Sequence, residues 1–154
     1  MRAWCSEEFA AHGIDFTPVQ ANMGLSLRAG TLRGLHYQVE PAVEAKLVRC
    51  TRGAVFDVVV DLRPESATFL DWFGTTLSAE NGDMLFVPER CAHGCLSLKD
   101  DTEIHYMTSA IFAPAHARGA RFDDPAIGIE WPIAVDVVSD QDRNWPLLQR
   151  PRTN

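Results

Sequence analysis

The feature that most limits what this chain can fold into is a series of short apolar runs, interrupted at close intervals by glycine and proline. AKLVRC (45–50), AVFDVVVDLR (54–63), GTTLSAE (74–80), DMLFVP (83–88), HGCLSL (93–98) and EIHYMTSAIF (103–112) each have strand length and strand composition. GTLRGLHYQ (30–38) reads as a further buried strand that carries a histidine and an arginine. The clearest alternation runs over 54–62. There Ala54, Phe56, Val58, Val60 and Leu62 fall on one face and Asp57 and Asp61 on the other, which predicts a strand with one side on a core. Helix is predicted only near the ends: at 6–12, where Ser6 can cap a turn carrying Glu7 and Glu8, and at 145–149. Without an internal repeat, linker or low-complexity stretch, residues 1–154 are expected to form one all-β domain. The spacing of its strands fits a β-sandwich or a closed barrel of the jelly-roll kind.

A chain of 154 residues can bury roughly 70% of the surface it exposes when unfolded, enough to enclose a pocket. Its net charge of −7 argues against nucleic acid or an anionic membrane as a partner. An anionic ligand would need arginines gathered locally. MRAWCSEEFAAHG lacks the basic-then-apolar pattern of a secretory leader, and no window approaches the ~18 apolar residues of a membrane span. A cytoplasmic protein is expected. Cys5, Cys50, Cys91 and Cys95 fit buried thiols in a reducing compartment better than a disulfide scaffold.

Four polar side chains stand inside four different apolar runs: His36, Lys46, His93 and Tyr106. Taken singly, each has an ordinary structural explanation, such as a hydrogen-bonded core histidine or a lysine that snorkels from a strand end. Taken together they suggest a site, because inward-facing residues of separate barrel strands converge on one cavity. A histidine oriented by a carboxylate can remove a proton from a carbon beside a carbonyl. A lysine ammonium can support the enolate that forms, and a phenol on the opposite face can return a proton. The outcome is inversion of a stereocentre next to a ketone.

The order RGLHYQ, AKLVR, VDLR, AHG, EIHYMTS, DDP and SDQD resembles that of the dTDP-4-dehydrorhamnose 3,5-epimerases, and the resemblance runs over about 8–142. The resemblance implies a cupin-type jelly-roll β-barrel with short terminal helices, no metal and no organic cofactor. The implied substrate is a dTDP-sugar whose C4 ketone acidifies C3 and C5, and the implied assembly is a homodimer. By position, His36 matches the catalytic base, Asp142 of SDQD the carboxylate that orients it, Lys46 the enolate-stabilising lysine and Tyr106 the acid. His93 matches a second histidine of the site. Gln20, Asn22 and Arg33 match positions that contact the nucleotide sugar, and the fork of Arg33 suits a diphosphate.

Several positions depart from the family pattern. MRAWCSEEF lacks the arginine of an Asp-x-Arg-Gly-Phe-Phe-like segment used in substrate binding. Phe112 replaces a tyrosine, Ala117 an acidic residue and Gln141 a basic one, while Cys91 and Cys95 replace aromatics beside AHG. The departures leave three alternatives open: a mono-epimerase on a related nucleotide sugar, a homologue that binds without turnover, and a metal-dependent cupin with Cys91, His93 and Cys95 as ligands. His12, His105 and His116 are expected to have no role in the site, and Trp72 and Trp131 to be packing anchors. Asp123-Asp124-Pro125 is expected to form a turn, and its family match places it at the pocket rim.

Overall fold

Local turn chemistry decides where each apolar run stops. Between β3 (Lys46–Arg52) and β4 (Ala54–Asp61), Gly53 turns the chain at φ +76°, a conformation that glycine adopts at little cost. After β5 (Trp72–Ser78), the Asn81 side chain accepts hydrogen bonds from the backbone N–H groups of Ser78 and Asp83, closing the turn into β6 (Met84–Val87). The computed structural model describes residues 2–148. Its other strands are β1 (Gln20–Ser26), β2 (Thr31–Gln38), β7 (Cys91–Ser97), β8 (Thr102–Thr108), β9 (Ala117–Gly119) and β10 (Val137–Val138), with helices α1 (Ser6–Ala11) and α2 (Asp140–Arg143).

The strands form two sheets, ordered β1-β8-β3-β6 and β10-β2-β7-β4-β5, with β9 also paired to β2. All the long pairings are antiparallel; β10 alone runs parallel to its neighbour. The sheets share an interior of Val48, Cys50, Val55, Leu77, Val87, Cys91, Cys95 and Ile104, to which both contribute. This is the jelly-roll barrel of the cupin type, predominantly strand with two short helices among the described residues. No helix among them is long and apolar enough to cross a membrane.

Each sheet is also covered over part of its outer face. Phe9 of α1, with Trp4, Ile14 and Phe16, packs on Leu47, Phe86 and Met107 of the four-stranded sheet. Ile127, Ile129 and Trp131 pack on Leu35, Val58 and Val60 of the other. Trp72 and Trp131 each meet the Phe56 ring edge-on at 6.5 and 6.1 Å, the packing role expected of them. The covering segments overturn one expectation. β4 does not have a solvent face: its even-numbered residues pack outward under the 127–131 segment, while Asp57 is fully buried on the barrel side and Asp61 is nearly so. Asp61 is held by Arg63 through two hydrogen bonds of 2.8 Å, which places its carboxyl well below the ordinary carboxylate range.

The second helix also forms earlier than expected. Ser139 accepts from the N–H of Asp142 and caps a turn at Asp140–Arg143, whereas 145–148 is irregular and Gln149 lies outside the described residues. Pro146 disfavours helical backbone in the residue before it. Asp124 is buried and accepts from the N–H groups of Ala126 and Leu148, so it fastens the C-terminal segment and does not line the pocket rim.

One irregularity shapes the site. β2 pairs Arg33 with Cys95 and His36 with His93, three residues on one strand against two on the other. This bulge lets Arg33 and His36 both face the barrel interior, although an odd and an even position of a regular strand would face opposite ways. Gly34 makes it possible: at φ +120°, a Cβ there would lie 2.6 Å from Gly94 Cα and 2.7 Å from the His93 carbonyl.

Candidate active site

The barrel interior opens into a cavity with two lobes. The first, about 490 Å³, lies among Arg33, His36, Lys46, His93, Tyr106 and Asp142. The second, about 340 Å³, lies among Gln20, Asn22, Glu44, Phe112, Arg118 and Trp145. His36, Lys46, Tyr106 and Gln141 border both lobes and so mark their junction. His36 comes from one sheet, and Lys46 and Tyr106 come from the other.

His36 Nε2 lies 2.6 Å from Asp142 Oδ1. The carboxylate also receives the Gly34 N–H at 3.2 Å on Oδ2 and the Trp145 Nε1–H at 3.3 Å on Oδ1. Because a carboxylate only accepts, the hydrogen-bond pattern puts the imidazole proton on Nε2 and leaves the Nδ1 lone pair for another partner. The His36 side chain is 46% exposed and that of Asp142 only 6%, so an accessible imidazole is held by a buried anchor. Burial pushes the Asp142 carboxyl up. Hydrogen bonds and charge from His36, with the Gly34 and Trp145 donors, outweigh that and bring it below its ordinary value.

The Lys46 ammonium is 3.1 Å from Glu44 Oε1 and 3.4 Å from the His36 carbonyl oxygen, in a pair whose side chains are each 8% exposed. Burial raises the Tyr106 phenol above its ordinary value, the Glu44 charge adds to this and Arg33 opposes it. The phenol therefore keeps its proton at neutral pH. His93 Nε2 lies 2.9 Å from Asp57 Oδ1, so a second imidazole in the cavity is also fixed by a buried carboxylate.

Arg33 reaches the mouth of the first lobe, where it donates to the Leu25 carbonyl at 2.7 Å and to Ser26 Oγ at 3.3 Å. Gln20 and Asn22 sit in the other lobe, joined to each other at 3.0 Å. The Gln20 side-chain oxygen accepts from the Phe112 N–H. All eight residues singled out from the sequence thus border this cavity, with Arg33 at one end and the Gln20–Asn22 pair at the other. The sequence reading missed Glu44, Gln38 and Asp57. Glu44 could have been found from its place two positions before Lys46, which puts both on one face of an extended chain.

The metal alternative loses its geometric basis. Cys91 and Cys95 belong to the hydrophobic core, burial raises both thiols, and His93 is committed to Asp57. Among the described residues no three His, Cys, Asp or Glu side chains are grouped so as to hold a metal ion. Cys95 does form part of the cavity wall, whereas Cys91 does not.

Residues 1–150 match the family model of dTDP-4-dehydrorhamnose 3,5-epimerase. The dTDP-4-dehydrorhamnose 3,5-epimerase of Sinorhizobium fredii is 49% identical over 141 residues, covering 91% of this chain and 72% of that protein. A crystal structure of the Bacillus anthracis enzyme of that name, with TDP and PPi bound, superposes with a TM-score of 0.93 at 37% identity, over 96% of this chain and 84% of the other. The Legionella pneumophila dTDP-6-deoxy-D-glucose-3,5-epimerase, in complex with dTDP-4-keto-L-rhamnose, gives 0.89 at 34% identity, over 95% and 78%. Matched by the family model over 1–150, by a relative at 49% identity and by a barrel that superposes at a TM-score of 0.93, the chain belongs to the dTDP-4-dehydrorhamnose 3,5-epimerase family.

Proposed function

We propose that this protein is a cofactor-independent epimerase that inverts the carbons flanking the C4 ketone of a dTDP-4-dehydro-6-deoxyhexose, in deoxysugar synthesis of the dTDP-rhamnose type. The observation that carries this reading is the convergence of His36, from one sheet, with Lys46 and Tyr106, from the other, on the junction of a two-lobed cavity. His36 Nδ1 takes the proton from carbon, and the electron pair moves into the carbonyl to form an enolate. The Lys46 ammonium supports the oxygen anion. Tyr106 then donates its proton to the opposite face as the carbonyl re-forms, and the carbon has inverted. Solvent restores the protonation of both groups. One ketone acidifies the carbons on both its sides, so one set of groups serves C3 and C5 in turn.

Asp142 holds the ring of His36, and His93 borders the sugar site. Arg33 meets the diphosphate at the mouth of the first lobe, while Gln20 and Asn22 supply polar contacts in the second. A few placed cations thus reconcile an anionic ligand with a chain of net charge −7. The test is incubation with dTDP-4-dehydro-6-deoxyglucose in deuterated water. Deuterium is expected at C3 and C5; incorporation at one carbon alone would make the protein a mono-epimerase, and none would remove the assignment.

The whole chain acts as one cupin-like unit, in the cytoplasm, where its four unpaired cysteines are in keeping with a reducing medium. The active form is a homodimer. β1 is an edge strand whose outward side presents Met23 and Leu25, continued by Val19 and Leu27 beyond its ends, at 45–67% exposure. A stripe of this kind on an unpaired edge favours a self-complementary contact. Met23→Glu is expected to shift the protein from dimer to monomer in light scattering; an unchanged mass would place the interface elsewhere.

A further inference from the structure

Glu44 accepts on both of its oxygens. Oε1 faces the Lys46 ammonium at 3.1 Å, and Oε2 receives the Gln38 side-chain N–H at 3.2 Å. Gln38 is buried and tied to the chain around it. Its NH₂ shares its two hydrogens among Glu44 and the carbonyls of Ala42 (2.9 Å) and Ile111 (3.3 Å), and its side-chain oxygen accepts from the Ala113 N–H at 2.6 Å. Phe112, between those last two residues, borders the second lobe.

A carboxylate suits this place because it accepts on both sides. An amide could turn its oxygen toward the Lys46 ammonium, but its NH₂ would then face the Gln38 NH₂ and the charge opposite the ammonium would be gone. We propose that Glu44 is a positioning residue: its carboxylate aims the Lys46 ammonium at the junction of the two lobes and, through Gln38, couples that aim to the 111–113 segment. The inference deepens the reading of Lys46 as the enolate-stabilising group and rests on it.

The same charge acts on the acid of the reaction. Burial is the main cause of the raised Tyr106 phenol, and Glu44 adds to it. The groups that share the cavity with the phenol are Glu44 and Lys46 on the β3 side, Arg33 and His36 on β2, and His93 and Cys95 on β7. Asp142 lines the first lobe as well, and Tyr37 and Arg118 the second. Of these, Glu44 is the largest charged contributor to the shift.

The chain has two tyrosines, so in a Tyr37→Phe background the ultraviolet phenolate signal follows Tyr106 alone. Adding Glu44→Gln is expected to move that titration to lower pH. In the otherwise native protein, Glu44→Gln should lower kcat about 10- to 100-fold while KM changes much less. Glu44→Asp, which keeps the charge on a shorter arm, should recover part of the loss. A folded Glu44→Gln protein with native kcat overturns the proposal, as does an equal loss in Glu44→Asp and Glu44→Gln that follows their melting temperatures. If the native chain shows no deuterium exchange, the epimerase reading fails on its own account, and the phenol titration still decides whether Glu44 acts on the cavity.

Discussion

His36→Asn is expected to abolish most exchange while leaving the nucleotide bound. Deuterium incorporation beside the ketone is expected to fall by at least ~100-fold, the ordinary scale for a lost general base, while dTDP still binds to the purified protein. The separation follows from the bulge in β2. Arg33 and His36 face the same cavity from opposite sides of Gly34 and are held by different partners, Arg33 by Leu25 and Ser26 and His36 by Asp142. Removing the imidazole therefore leaves the cation at the mouth in place. Asparagine can still offer an amide N–H toward Asp142, but neither of its side-chain atoms is basic at neutral pH. Native exchange in this variant would take His36 out of the chemistry. Loss of dTDP binding together with exchange would instead mean that the histidine has a binding role. The same pair of measurements on the native chain separates an enzyme from a homologue that only binds.

Tyr106→Phe gives the opposite dissociation. Epimerised product is expected to fall by at least ~100-fold, while deuterium still washes into the starting sugar. His36 can remove a proton and, after exchange with solvent, return deuterium to the same face, a cycle that needs no acid on the other sheet. Inversion does need one, and phenylalanine has no proton to give. The phenol suits the task because burial and the Glu44 charge hold it above its ordinary value. It is the protonated form that donates, so the activity it supports is present below its titration and lost as pH rises through it. Tyr106→Phe should therefore remove the alkaline limb assigned to the phenol from the inversion profile and leave the exchange profile without it. If the variant still inverts at the native rate, the proton comes from another donor. Loss of exchange as well as inversion would make Tyr106 part of the base machinery.

Much of the fold could be read along the chain. Each of the seven apolar runs, including 30–38, coincides with a strand of the barrel, because period, β-branched content and the intervening turn residues are local properties. The outer coverings could not be read in the same way. The alternation in 54–62 suggests one wet face, yet the 127–131 segment, distant in sequence, closes over it and turns the aspartates toward the barrel. The C-terminal helix was displaced for a similar reason: the Ser139 cap and the contact of Trp145 with Asp142 outweigh the propensity of 145–149.

The residue types of the site were legible as isolated polar intrusions in apolar runs, and the family motifs assigned them roles. Their partners were legible only in part. Asp142, 106 positions from His36, was named by the family motif, whereas Asp57, 36 positions from His93, was not found as a partner, because sequence spacing alone carries no distance across a barrel. Glu44 was closer at hand, but the meaning of a carboxylate near a lysine depends on whether water reaches it, and burial is a property of the closed barrel.

By itself the sequence determined seven of the ten described strands and the chemical types that could meet in one cavity, because these follow from local sterics and side-chain patterning; β1, β9 and β10 it did not mark. Only the tertiary structure decided which face of each strand looks inward, that a glycine bulge turns Arg33 and His36 the same way, and that Asp57 holds His93 and Glu44 holds Lys46. Those outcomes depend on the closure of two sheets over one another, which no neighbouring residues along the chain encode.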